Sequence, residues 1–157
     1  MIDSAPAVWE KMIKQAGDRL RVINVLRHPL DMLAAAAYRR EIEPDQASAD
    51  RIVKNARAVL KARSSVGEAR FLTLHHEAFL SEPRTQLSRL CEFLDLVVSE
   101  NYLAACVEGV RPQAHERRFS VDWDEDLLTY FETALAAPEL ADLFAAYLPL
   151  RRGIEII

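Results

Sequence analysis

The chain has 157 residues, of which 50% are hydrophobic and 28% charged, an ordinary balance for a globular protein large enough to bury a real core. A net charge of −4 gives no basis for a general nucleic-acid-binding role, although it leaves room for a local basic site that takes a small anion. No apolar run approaches membrane-spanning length, and the N-terminal segment MIDSAPAVWEKMIKQAG mixes acids and bases with no signal-peptide core.

These features predict a cytoplasmic protein with neither a nucleic-acid nor a membrane partner. The two cysteines, Cys91 and Cys106, follow no metal or redox spacing. Both fall in predicted helices with apolar neighbours, so they read as buried thiols in a reducing compartment.

Pro6 to Ala16 has Val8, Trp9, Met12, Ile13 and Ala16 at helical spacing. Ser4 or Asp3 is the expected cap, Gly17 the expected stop, and Trp9 a core anchor. Val22-Ile23-Asn24-Val25-Leu26 is a short apolar, largely β-branched run, which predicts a strand buried on both faces. Arg27-His28-Pro29 ends it. Proline cannot continue a strand but suits the first turn of a helix. Asp31 then complements the positive end of the helix dipole, and Leu30, Met32, Leu33 and four alanines carry the helix to Tyr38, Arg39 and Arg40. Arg27 therefore lies at the carboxyl end of a strand beside a helix N-terminus, where open α/β sheets bind ligands and phosphate is favoured.

Ile42 to Gln46 reads as a loop and Ser48 to Ala62 as a second long helix, whose Arg51, Lys54, Arg57, Lys61 and Arg63 form a solvated basic face. After a turn at 64–67, Arg70 to His75 is the second strand and His76 to Leu80 turns out of it. Ser81 is the expected cap of a helix starting at Glu82-Pro83 and ending near Asp95. Glu100 to Val107 is a shorter helix. Gly109 to Phe119 is a polar loop with Arg111, His115, Arg117 and Arg118. Asp122 to Leu135 and Pro138 to Leu148 are the last two helices, and the tail RRGIEII is left undecided. The alternation predicts a helix-rich α/β fold with a small parallel sheet. Two convincing strands are few, so either others are cryptic or the domain is mostly helical.

Adjacent His75 and His76 point to opposite faces of an extended chain, so no metal site is expected there. His115 with Glu116 reads as an exposed loop pair rather than a proton-transfer group. For Arg27 two readings coexist, an anion ligand and a partner for Asp31.

In order, VINVLRHPLD, a helical segment, FLTLHHEAFLSEPRTQLSRLCEFLDL and an arginine loop before Trp123 resemble the C-terminal part of sulfotransferases that use 3′-phosphoadenosine 5′-phosphosulfate. The resemblance runs from Arg21 to Leu148. It implies a partial P-loop-NTPase-like domain, a single one over 1–157, with that nucleotide as co-substrate and a hydroxyl or amine acceptor that the sequence does not identify. Arg27 matches the family arginine that binds the nucleotide 3′-phosphate. The serine that assists it eight positions later is replaced by Ala35, and losing a hydroxyl-to-phosphate hydrogen bond costs about 1–3 kcal/mol. Glu77 matches the glutamate of a Tyr-Glu-Asp-Leu motif, with His76 and Ala78 replacing its neighbours, and reads as structural. Arg117 and Arg118 match a late basic loop that touches the nucleotide phosphates.

The family also opens with a glycine-rich phosphate loop carrying Lys or Arg. Only Gly17 precedes Arg27, and no Gly/Ser/Thr-Lys cluster surrounds it. The reacting half of the site, including the catalytic base, is therefore unaccounted for. Three readings stand: a C-terminal piece of a sulfotransferase, a non-catalytic anion-binding or interaction module derived from one, or an accidental likeness. An edge left open by a missing strand would also favour a homodimer.

Overall fold

The computed structural model describes residues 6–110 and 116–151. The expected caps Ser4 and Asp3, the loop residues Arg111 and His115, and the tail beyond Arg151 lie outside them. Among the described residues the chain is helix-rich, with one parallel pair of strands, β1 (Val22–Leu26) and β2 (Phe71–His75). Val22 lies opposite Phe71 and Leu26 opposite His75. The long connection between them carries α2 (Pro29–Arg40) and α3 (Gln46–Val66), as a parallel pair requires. The expected α/β class with a small sheet is what forms, and the described residues settle the question of cryptic strands in favour of helix.

Two compact units share the chain. The first contains residues 6–27 and 61–110, with α1 (Pro6–Ala16), both strands, α4 (His76–Ser81), α5 (Pro83–Phe93) and α6 (Glu100–Glu108). Gly17, at φ +54°, ends α1 as expected. β2 buries Phe71, Leu72 and Leu74, but β1 departs from its prediction: Ile23 is 39% and Val25 62% exposed. With a two-residue period, these side chains share one face of the strand, and the described residues leave that face open. His76 to Leu80 forms a short helix rather than a turn. Glu82 breaks it from α5, because a residue before proline is pushed out of the helical region, here to φ −131° and ψ 55°. Glu82 also takes the cap position expected of Ser81, whose hydroxyl donates to the Ala78 carbonyl at 3.3 Å. Both cysteines are reduced, with Cys91 buried and Cys106 half-buried.

The second unit contains residues 28–60 and 116–151, with α2, most of α3, a 3₁₀ turn (Arg117–Ser120), α7 (Glu125–Leu135) and α8 (Pro138–Phe144). Its fully buried side chains include Leu30, Leu33, Leu128, Phe131, Leu140 and Phe144. α7 begins at Glu125 rather than Asp122, because Asp124 accepts the Leu127 N–H at 2.7 Å and so acts as the cap. α8 ends at Phe144, short of the expected Leu148, which precedes Pro149 and is disfavoured in a helix.

α3 starts two residues earlier than expected. Asp45 accepts the Ser48 N–H at 2.8 Å, and Arg40 Nη1 donates to the Ser48 hydroxyl at 3.1 Å. Hydrogen bonds from the Ser48 side chain and backbone hold the Asp45 carboxyl below its ordinary 3.8. A depressed folded-state value means that this stabilisation is complete above 3.8 and is lost as pH falls through the folded value. Asp45→Ala should therefore cost about 1 kcal/mol at neutral pH. Urea unfolding should show the gap to wild type closing in acid; a gap that persists unchanged at the acid limit would contradict the assignment.

Candidate functional site

β1 ends at Leu26, and Arg27 is the half-buried residue that leads from it into His28, the N-cap of α2. His28 Nδ1 accepts the Leu30 N–H at 3.3 Å, and Pro29 occupies the first helical position, where no N–H is needed. A ring nitrogen that accepts carries no proton, so His28 caps the helix as a local acceptor.

Two residues further on, Asp31 is fully buried, at 0% exposure. Its carboxylate takes one hydrogen bond on each oxygen from Arg118. The Arg118 backbone N–H donates to Oδ1 at 2.9 Å, and Nη1 donates to Oδ2 at 2.6 Å. Arg118 is itself only 12% exposed. Nη2 donates to Glu116 at 2.6 Å, the guanidinium lies 4.4 Å from the Phe119 ring centre, and the Arg118 carbonyl accepts the Trp123 indole N–H at 2.8 Å. The 3₁₀ turn is thus tied to the first turn of α2 by a buried charge and clamped from behind by Trp123.

Arg117 has a different environment. It is half-buried, and its guanidinium lies 4.0 Å over the ring of Tyr38 near the other end of α2, a cation–π contact. Among the described residues, no carboxylate pairs with it. Asp31, Ala35 and Tyr38 are spaced four and three residues apart, so they form one stripe along α2, and its two ends meet Arg118 and Arg117.

Beside the helix N-terminus, His28, Arg118, Ala146, Tyr147 and Leu148 line a small cavity of about 130 Å³. The rings of His28 and Tyr147 meet edge to face at 5.4 Å. Its lining is polar at His28 and Arg118 and otherwise aromatic and apolar.

Along α2, Ala35 lies between Asp31, which meets Arg118, and Tyr38, which meets Arg117. Arg27 follows β1, and Glu77 is half-buried in α4 of the same unit as Arg27. Sequence reasoning did not anticipate Arg118 as a partner of Asp31, 87 residues away. No local pattern announces a pair at that separation. The hold of Trp123 on the Arg118 carbonyl and the place of Tyr147 beside His28 were missed too. One signal was present: an acid in a buried first turn needs a cation, and the loop offered several.

A family model for the sulfotransferase family matches residues 3–100, more than half of the chain. The chain belongs to the sulfotransferase family. The matched region begins earlier than the resemblance at Arg21 and includes Arg27, Asp31 and Ala35. It ends before Arg117 and Arg118. No curated protein and no solved structure gives a significant match.

Removing one partner of the Asp31–Arg118 pair strands a buried charge. Because Arg118 reaches solvent slightly, the cost should lie at the low end of the usual range, about 3 kcal/mol for either Asp31→Ala or Arg118→Leu. The Asp31→Leu/Arg118→Leu double variant should lose less than either single one in denaturant unfolding. Single-variant losses that simply add would show that the two groups do not stabilise one another.

Proposed function

We propose that this chain binds the 3′-phosphoadenosine end of 3′-phosphoadenosine 5′-phosphosulfate, with Arg27 on the 3′-phosphate and the arginine turn supplying further positive charge. Family membership supports the reaction class, sulfuryl transfer to a hydroxyl or amine. The observation that carries the nucleotide reading is the junction itself. Arg27 directly follows the last residue of a parallel strand, and a twelve-residue helix begins two residues later. Phosphate favours both features, the first as a charge-assisted donor and the second through its unsatisfied N–H groups.

The same reading makes this chain a binder rather than a complete catalyst. Sulfuryl transfer breaks the bond between sulfur and the phosphate oxygen and forms one to the acceptor. Charge building on the leaving phosphate needs fixed donors. The family's glycine-rich loop would supply them, and the sequence holds only isolated glycines at 17, 67, 109 and 153. Ala35 lacks the hydroxyl that helps hold the 3′-phosphate, so affinity rests more heavily on the arginines.

Calorimetric titration with adenosine 3′,5′-bisphosphate should give saturable one-to-one binding. Arg27→Ala should weaken it about tenfold to hundredfold, the value of one charge-assisted contact. Ala35→Ser should strengthen it several-fold. Equal affinity of wild type and Arg27→Ala would remove the assignment.

A further inference from the structure

The two adjacent arginines of the 3₁₀ turn have different surroundings. Arg118 has its charge met by buried Asp31 and by Glu116. Arg117 rests on Tyr38, and no described carboxylate pairs with it. A guanidinium already committed to a buried carboxylate on one edge and a second acid on another has few N–H groups left for a ligand. One stacked on an aromatic ring keeps its edge donors available.

We infer that Asp31 is a positioning residue: it anchors Arg118 so that Arg117 becomes the anion-binding cation of the turn. The inference rests on the nucleotide reading above and refines it, since Arg117 and Arg118 enter that reading as equivalents. Asp31 touches no ligand in this scheme. It acts through the Arg118 backbone N–H, which fixes the turn at 2.9 Å, and through the guanidinium at 2.6 Å. The Trp123 indole at the Arg118 carbonyl holds the same residue from the opposite side. With the backbone of residue 118 pinned at both its N–H and its carbonyl, the Cα position of Arg117 is set, and its stacking on Tyr38 sets the guanidinium plane.

A thermodynamic cycle tests this with wild type, Asp31→Asn, Arg117→Ala and the double variant, titrated with adenosine 3′,5′-bisphosphate. Arg117→Ala should weaken binding about tenfold to hundredfold, and Asp31→Asn about tenfold. The double variant should bind no more weakly than Arg117→Ala alone, because Asp31 acts on the anion through Arg117. Effects that multiply, or an Arg117→Ala variant that binds like wild type, would overturn the inference.

A wild type that ignores the bisphosphate sinks the nucleotide reading instead, and limited trypsin digestion then decides the positioning claim alone. Cleavage after Arg117 and Arg118, normalised to cleavage after Arg89 on α5, should be about tenfold faster in Asp31→Asn than in wild type. An unchanged ratio would overturn the claim.

Discussion

One carboxylate governs the unit that carries the site. Asp31 is fully buried in the first turn of α2, where the helix dipole favours a negative charge but cannot by itself offset its removal from water. A buried acid needs a hydrogen-bonded cation, and the chain supplies it from 87 residues away in Arg118. The requirement is reciprocal, because the arginine also loses water. Each offsets part of the cost of burying the other, so the turn at 117–120 is held on α2 by an electrostatic constraint as well as by apolar contact.

The position of the turn has consequences for chemistry. Along α2, the stripe of Asp31, Ala35 and Tyr38 meets the arginine turn at both ends. Ala35 occupies the middle of that stripe, where a serine would present a hydroxyl to the same face. The family relation covers the strand, the junction and α2. The turn lies beyond the matched residues, and its connection to them is made in three dimensions. The first turn of α2 and the distant basic turn are thus joined through Asp31 and Arg118.

Much of the fold could be read from local chemistry. Pro29 and Pro83 mark helix starts, Gly17 marks a stop, and the β-branched run at 22–26 marks a strand. Each depends on backbone preferences that act within a few residues. Errors arose where neighbouring signals compete. His76 to Leu80 folds as a helix because the break falls at Glu82, set by the following proline rather than by the polar residues themselves. The exposure of Ile23 and Val25 was illegible because an apolar run reports the capacity for burial and not the presence of something to bury against. The site shows the same division. Arg27 and Ala35 were singled out through a family pattern. The different surroundings of Arg117 and Arg118 were not legible, since they depend on which arginine meets a buried acid, a question of tertiary placement.

The central claim is that the first turn of α2 and the arginine turn form one anion site. Amide chemical shifts of ¹⁵N-labelled protein, followed during titration with adenosine 3′,5′-bisphosphate, test it most directly. The account predicts saturable shifts for His28 to Met32 and for Arg117 and Arg118 on a common binding curve. Shifts that spread without saturation, or that fall elsewhere while these amides stay still, would contradict it.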